Sequence, residues 1–176
     1  MGEISHAFID QSRQLLTDSY VPRIEQAISG LSIENVWWKA NPESNSIGNL
    51  MLHLDANVRQ WIISGLGGET DIRERQREFD AQSGLDQAQL LRQLRATVSE
   101  ADCVLANIDP VTLLEHRRIQ SYDVTVMRAI YAVVEHFSMH TGQIILLAKM
   151  WKGDLRFYDV SGGAPRPTWR GGVAGH

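Results

Sequence analysis

Three of the six histidines carry the chemistry that residue types and spacing suggest for this sequence. His136 and His140 stand four residues apart in a stretch of helical periodicity, so their Cβ atoms lie about 5–6 Å apart on one face. Both rings can then reach one ion. Spacing alone says little, because a chain with this many histidines holds about 0.2 pairs at any given separation by chance. Position says more. Both residues fall on one shoulder of an apolar stripe, flanked by Val133, Phe137, Ile144 and Leu147. Two buried imidazoles without partners cost about 1–3 kcal/mol each. A shared metal ion removes that cost, and so would hydrogen bonds from other side chains at the edge of a core.

His53 sits in a second helical stretch, where the apolar seam centres about 110° away from it. Asn49, Asn57 and Gln60 share its side, so nitrogen and oxygen donors line one shoulder of an otherwise apolar helix. Taken by itself, His53 also fits a partly exposed helical histidine with no ligand role.

Four helical stretches must position these residues. The first spans residues 3–29, ends at Gly30 as a C-terminal cap, and contains Pro22, which should kink or divide it. The second opens at Ser46 as N-cap and runs to about Leu66, with a seam of Ile47, Leu50, Leu54, Val58 and Trp61. The third begins near Asp86, with Gln89 placed as in a capping box, and ends at Pro110. The fourth and longest is read from Tyr122 to Trp151 and must sit deep. Between the second and third lies GETDIRERQREFDAQSG, whose mixed charges read as a solvated loop or short exposed helix. Residues 111–120 read as a short extended crossover with alternation too weak to define a strand. The expected fold is all-α, a four-helix bundle of up-and-down type with a crossover, over residues 1–152. Residues 153–176 read as an irregular Gly/Pro-rich tail that Tyr158 and Trp169 are placed to anchor.

Composition excludes several function classes. With 176 residues, one domain is expected. A net charge of -4 with scattered basic residues leaves no cationic stripe for nucleic acid. Cys103, the one cysteine, cannot form an internal disulfide, which fits a reducing compartment. The opening residues lack a basic segment followed by an apolar run, and no apolar run approaches the ~20 residues that cross a bilayer. A cytoplasmic protein is expected, without membrane or nucleic-acid partners.

Two segments, SIGNLMLHLDANVRQWI (Ser46 to Ile62) and AVVEHFSMHTGQIILL (Ala132 to Leu147), make the chain resemble the DinB/YfiT-like superfamily of small four-helix metalloproteins. The likeness extends from Trp37-Trp38 to Trp151. The family pattern is one histidine on the second helix, then two histidines four residues apart on the last, the final one leading into His-x-Gly-Gln. His53, His136 and His140 match it, the last followed by Thr141-Gly142-Gln143.

The resemblance implies a divalent metal ion, usually zinc, nickel or iron, held by three imidazoles with coordination positions left open. An open position marks a catalytic rather than a closed structural site. Characterised relatives of this kind include enzymes that transfer low-molecular-weight thiols to electrophiles, and others are proposed hydrolases. A metal-dependent transferase acting on a small-molecule thiol and an electrophile is therefore expected. Metal-dependent hydrolysis, or a non-catalytic dimeric bundle with a structural metal, are the alternatives. A homodimer suits all three.

Asn57 and Gln143, each near a histidine on its own shoulder, are candidates to orient a ligand, though plain packing roles suit them equally. Glu135 points about 100° away from His136 and should not share its ion. Cys103 falls on the outer side of the third helix and reads as inert. His6, His116 and His176 show no paired spacing. Arg117-Arg118 could face an anionic substrate or a partner, and an exposed crossover explains them equally well.

Overall fold

In the computed structural model, which describes residues 2–169, the chain is predominantly helical. The first long helix is α1 (Gly2–Gln14), a π-helical turn (Leu15–Tyr20) and α2 (Val21–Ile28) in succession. The wide turn answers Pro22. Proline has no amide hydrogen to bond four residues back, and its ring crowds the carbonyl there. At the turn the Val21 amide reaches Leu16 O, five residues back, and the helix passes Pro22 without breaking. Gly30, at φ 75°, ends it as expected.

A short helix α3 (Ile33–Trp37) leads into α4 (Ile47–Val58), which continues as a second π-helical segment, Arg59–Ser64. After the link and its helix α5 (Arg75–Asp80) comes α6 (Gln87–Ala106). The predicted capping box of Asp86 with Gln89 starts α6, and Ser46, expected as the N-cap of α4, forms a second box with Asn49.

The crossover is a 3-10 turn (Pro110–Leu114) followed by an antiparallel hairpin of β1 (His116–Ile119) and β2 (Tyr122–Thr125). The last long helix, α7 (Val126–Trp151), thus starts four residues later than its periodicity suggests. The hairpin was hard to foresee because only Ile119 among its eight strand residues is buried, which leaves no alternation of apolar and polar positions. Thr125 both ends β2 and caps α7, accepting the Arg128 amide.

The core fills the space between the long helices. α4 packs on α6 and α7, and α2 packs on α7. Ile24, Ile28, Leu54, Ile62, Leu94, Leu105, Phe137 and Ile144 are fully buried there. Phe137, at the level of the histidines on α7, stacks on Tyr20 of the π-turn at 5.8 Å between ring centres.

The stretch after Gly153 is more ordered than an irregular tail. Tyr158–Asp159 (β3) and Arg166–Pro167 (β4) pair in antiparallel register. Gln26 of α2 donates to Arg156 O at 2.7 Å, and the Arg23 guanidinium lies 4.1 Å from the Trp169 ring centre. Trp169 thus anchors the segment to α2, while Tyr158 meets Trp169 edge to face within the segment itself. Residues 170–176 of the predicted tail, with His176, lie outside the described residues. Among those described, no helix is long and apolar enough to cross a membrane.

Candidate metal centre

α4 is held at its start by reciprocal hydrogen bonds. Ser46 Oγ accepts the Asn49 amide at 3.1 Å, and Asn49 Oδ1 accepts the Ser46 amide at 3.1 Å. The other end of the Asn49 side chain donates to Glu78 O at 2.8 Å and Ala81 O at 2.7 Å. One buried side chain therefore caps α4 and pins α5 against it. Beside it, Gly48 makes room for Trp37: a Cβ at this position would come within 2.7 Å of the indole. Trp37 in turn donates to Leu85 O at 3.0 Å and closes the link over α4.

His53 lies on the next turn of α4, 5% exposed. Two turns of α7 bring His136 and His140 opposite it, so all three predicted histidines meet. One ligand nitrogen from each lies within 4.8 Å of the others. Nε2 of His136 is 2.9 Å from Nε2 of His53. The three rings are edge-on to one another, with centres 4.4–5.1 Å apart and planes crossing at 66–85°. Nitrogens, rather than ring faces, point at the shared centre.

Tetrahedral coordination with Zn–N bonds of about 2.0–2.1 Å sets ligand nitrogens about 3.3 Å apart, and the observed cluster brackets that separation. Among the described residues, no cysteine, carboxylate or fourth histidine joins it.

The surroundings fix which nitrogen each ring presents. His53 Nδ1 lies 2.7 Å from Glu78 Oε2. A carboxylate only accepts, and its contact is shorter than the 3.1 Å from Arg73 Nη2 to the same nitrogen, so Nδ1 carries the hydrogen and Nε2 keeps its lone pair for the cluster. His140 Nδ1 lies 2.6 Å from Gln143 Oε1, which assigns the same tautomer there. Gln143 thus bonds one of the three histidines, whereas Asn57 is half-buried and its side chain makes no hydrogen bond among the described residues.

Glu78 is itself held. Arg73 grips it through two bonds, Nε to Oε1 at 2.7 Å and Nη2 to Oε2 at 2.9 Å. The third point of the guanidinium, Nη1, donates to Gln60 Oε1 at 2.8 Å. Gln60 also donates to Asp71 at 2.7 Å and accepts from Gln120 in the β-hairpin turn. The π-helical segment after α4 carries Gln60 and buries it against this network.

Charge follows from these contacts. Burial first, then the positive potentials of His140, His53, Arg73 and Arg75, push His136 from its ordinary 6.5 down to about 4. Burial also lowers His140, with His53 adding to the effect and the Gln143 bond opposing it. Both rings are therefore neutral at pH 7, as metal ligation requires. Burial raises the Glu78 carboxyl, but bonds from Arg73 and His53 outweigh it and hold the group below the usual carboxylate range.

Sequence reasoning missed Arg73 and Glu78. Both stand in the link expected to be solvated, yet their side chains are only 6% and 7% exposed. They lie outside any apolar period, and the only hint is Phe79, an aromatic residue within a charged run.

The other polar residues singled out lie elsewhere. Glu135 is exposed, as is Cys103. His116 pairs with Asp123 at 2.9 Å on the hairpin, and His6 bonds its own helix at Gly2 O. Arg117 pairs with Glu115 at 3.0 Å, and Arg118 is exposed; neither contacts the three histidines.

Residues 3–161 match the family described as "Protein of unknown function (DUF1572)". No curated protein matches the chain. The match covers most of the length, and the chain belongs to that family.

Proposed function

We propose that this DUF1572 protein is a divalent-metal protein with a DinB/YfiT-like four-helix bundle, acting as a metal-dependent transferase of a low-molecular-weight thiol to an electrophile. The observation that carries the proposal is the convergence of His53, His136 and His140 from two helices, without a fourth protein ligand among the described residues. Zinc, nickel and iron all suit a set of imidazole donors. A divalent ion so held favours the deprotonated form of a thiol or water bound beside it, supplying a nucleophile at neutral pH.

The chain's own residues do the rest. Glu78 and Gln143 fix the tautomers of His53 and His140, so that Nε2 of each faces the ion. Arg73 keeps Glu78 ionised and in place. Burial of the rings keeps protons from competing for their lone pairs. The packed core behind them, with Phe137 and Ile144 fully buried, excludes water from that side.

The test supplies the zinc-loaded full chain with a small thiol and a chlorinated or epoxide probe, and follows thiol consumption and products. A thioether that forms only with metal present is the expected result. A product carrying water alone contradicts transfer and supports hydrolysis. If neither product forms and metal removal leaves the melting temperature unchanged, the enzyme reading fails and a non-catalytic dimeric bundle gains.

A further inference from the structure

Three arginines alternate through residues 73–77, and two are spoken for. Arg73 is locked in its two-point pair with Glu78. Arg77 pairs with Glu74 at 2.7 Å. Arg75 has no carboxylate partner among the described residues. Its guanidinium instead lies 4.7 Å from the centre of the Phe79 ring, and that ring lies 4.9 Å from the ring of His53. The stack of guanidinium, phenyl and imidazole holds an exposed, uncompensated cation one aromatic ring away from the candidate metal centre.

The charge balance of the site sharpens this. Glu78, the one carboxylate touching the cluster among the described residues, is offset by Arg73, so no described anion at the centre is left uncompensated. The five N–H donors of Arg75 are free of any acid among the described residues, one ring, that of Phe79, away from His53.

We propose that Arg75 is the specificity-determining residue of the site, selecting small thiols that carry a carboxylate: the sulfur goes to the metal and the carboxylate to the guanidinium. The inference rests on the metal reading given above. It adds the ligand class, an anionic rather than a neutral thiol, and a residue the resemblance did not supply.

The test uses the full chain loaded with cobalt(II), titrated with 3-mercaptopropionate and with 2-mercaptoethanol while the sulfur-to-cobalt absorption is followed. The wild-type protein should bind the carboxylate thiol more tightly. In Arg75→Gln that preference should fall about two- to fivefold, the worth of an exposed charge pair, with the affinity for 2-mercaptoethanol unchanged. Arg75→Lys, which keeps the charge, should retain part of the preference. Equal binding of the two thiols by the wild type, or an equal loss for both in Arg75→Gln, overturns the proposal while leaving the metal centre standing. Failure of the wild type to hold cobalt at all overturns both.

Discussion

Glu78 decides which nitrogen of His53 is available. With its carboxylate 2.7 Å from Nδ1, the ring hydrogen is committed away from the cluster and Nε2 is left to bind. Glu78→Ala should therefore weaken zinc about 10- to 100-fold, the usual cost of losing such a support, as read by competition with a chromophoric chelator. Unchanged affinity would show that the carboxylate serves packing alone. The same residues set a pH dependence. His136 titrates near 4 in the folded chain against an ordinary 6.5, so the unfolded chain binds its proton more readily. Stability without metal is then lost as pH falls from about 6.5 toward 4. Glu78, with a lowered carboxyl, acts in the same sense at the acid end of that window. The melting temperature of the metal-free protein should drop between pH 7 and pH 5, and a flat or rising profile contradicts the burial of these rings.

At the scale of elements, the site depends on how α4, α5 and α7 are held together. Gly48 is a tight point of α4, since any Cβ there enters the Trp37 ring. Gly48→Ala should cost about 1–3 kcal/mol, the usual range for overpacking, in chemical denaturation, and a neutral effect would mean that Trp37 is free to move aside. Asn49→Ala removes both the cap of α4 and the clamp on α5. It should lower stability and zinc affinity together, because Glu78 loses its anchor. The contrast between these elements explains what the sequence allowed to be read. α4, α6 and α7 announce themselves by apolar period and caps, and a histidine pair on a buried shoulder is visible in the same pattern. The hairpin after Leu114 and the folded-back link have no such period. Their residues are fixed by single long-range contacts, such as Gln60 with Arg73 and Asn49 with Glu78, which leave no local signature. Arg73 and Glu78, the supports of His53, lay in that unreadable part, while the three histidines and Gln143 lay in the readable one.

For the whole molecule, the candidate ligands come from two helices far apart in sequence, α4 and α7, that touch only in the folded chain. An ion bound between them favours the folded state by mass action. At a free metal concentration one hundred times Kd the gain is about 2.7 kcal/mol, or about 5–11 °C in melting temperature for a chain of this size. Calorimetry with and without zinc should show that shift, and His53→Ala should remove it. Membership of a family without an assigned activity says nothing against a catalytic role, because chemistry belongs to sites rather than folds. The central claim is the ion itself, and the metal content of protein purified without an affinity tag tests it most directly. The account predicts about one divalent ion per wild-type chain and none in His140→Ala; full metal retained by that variant would contradict it.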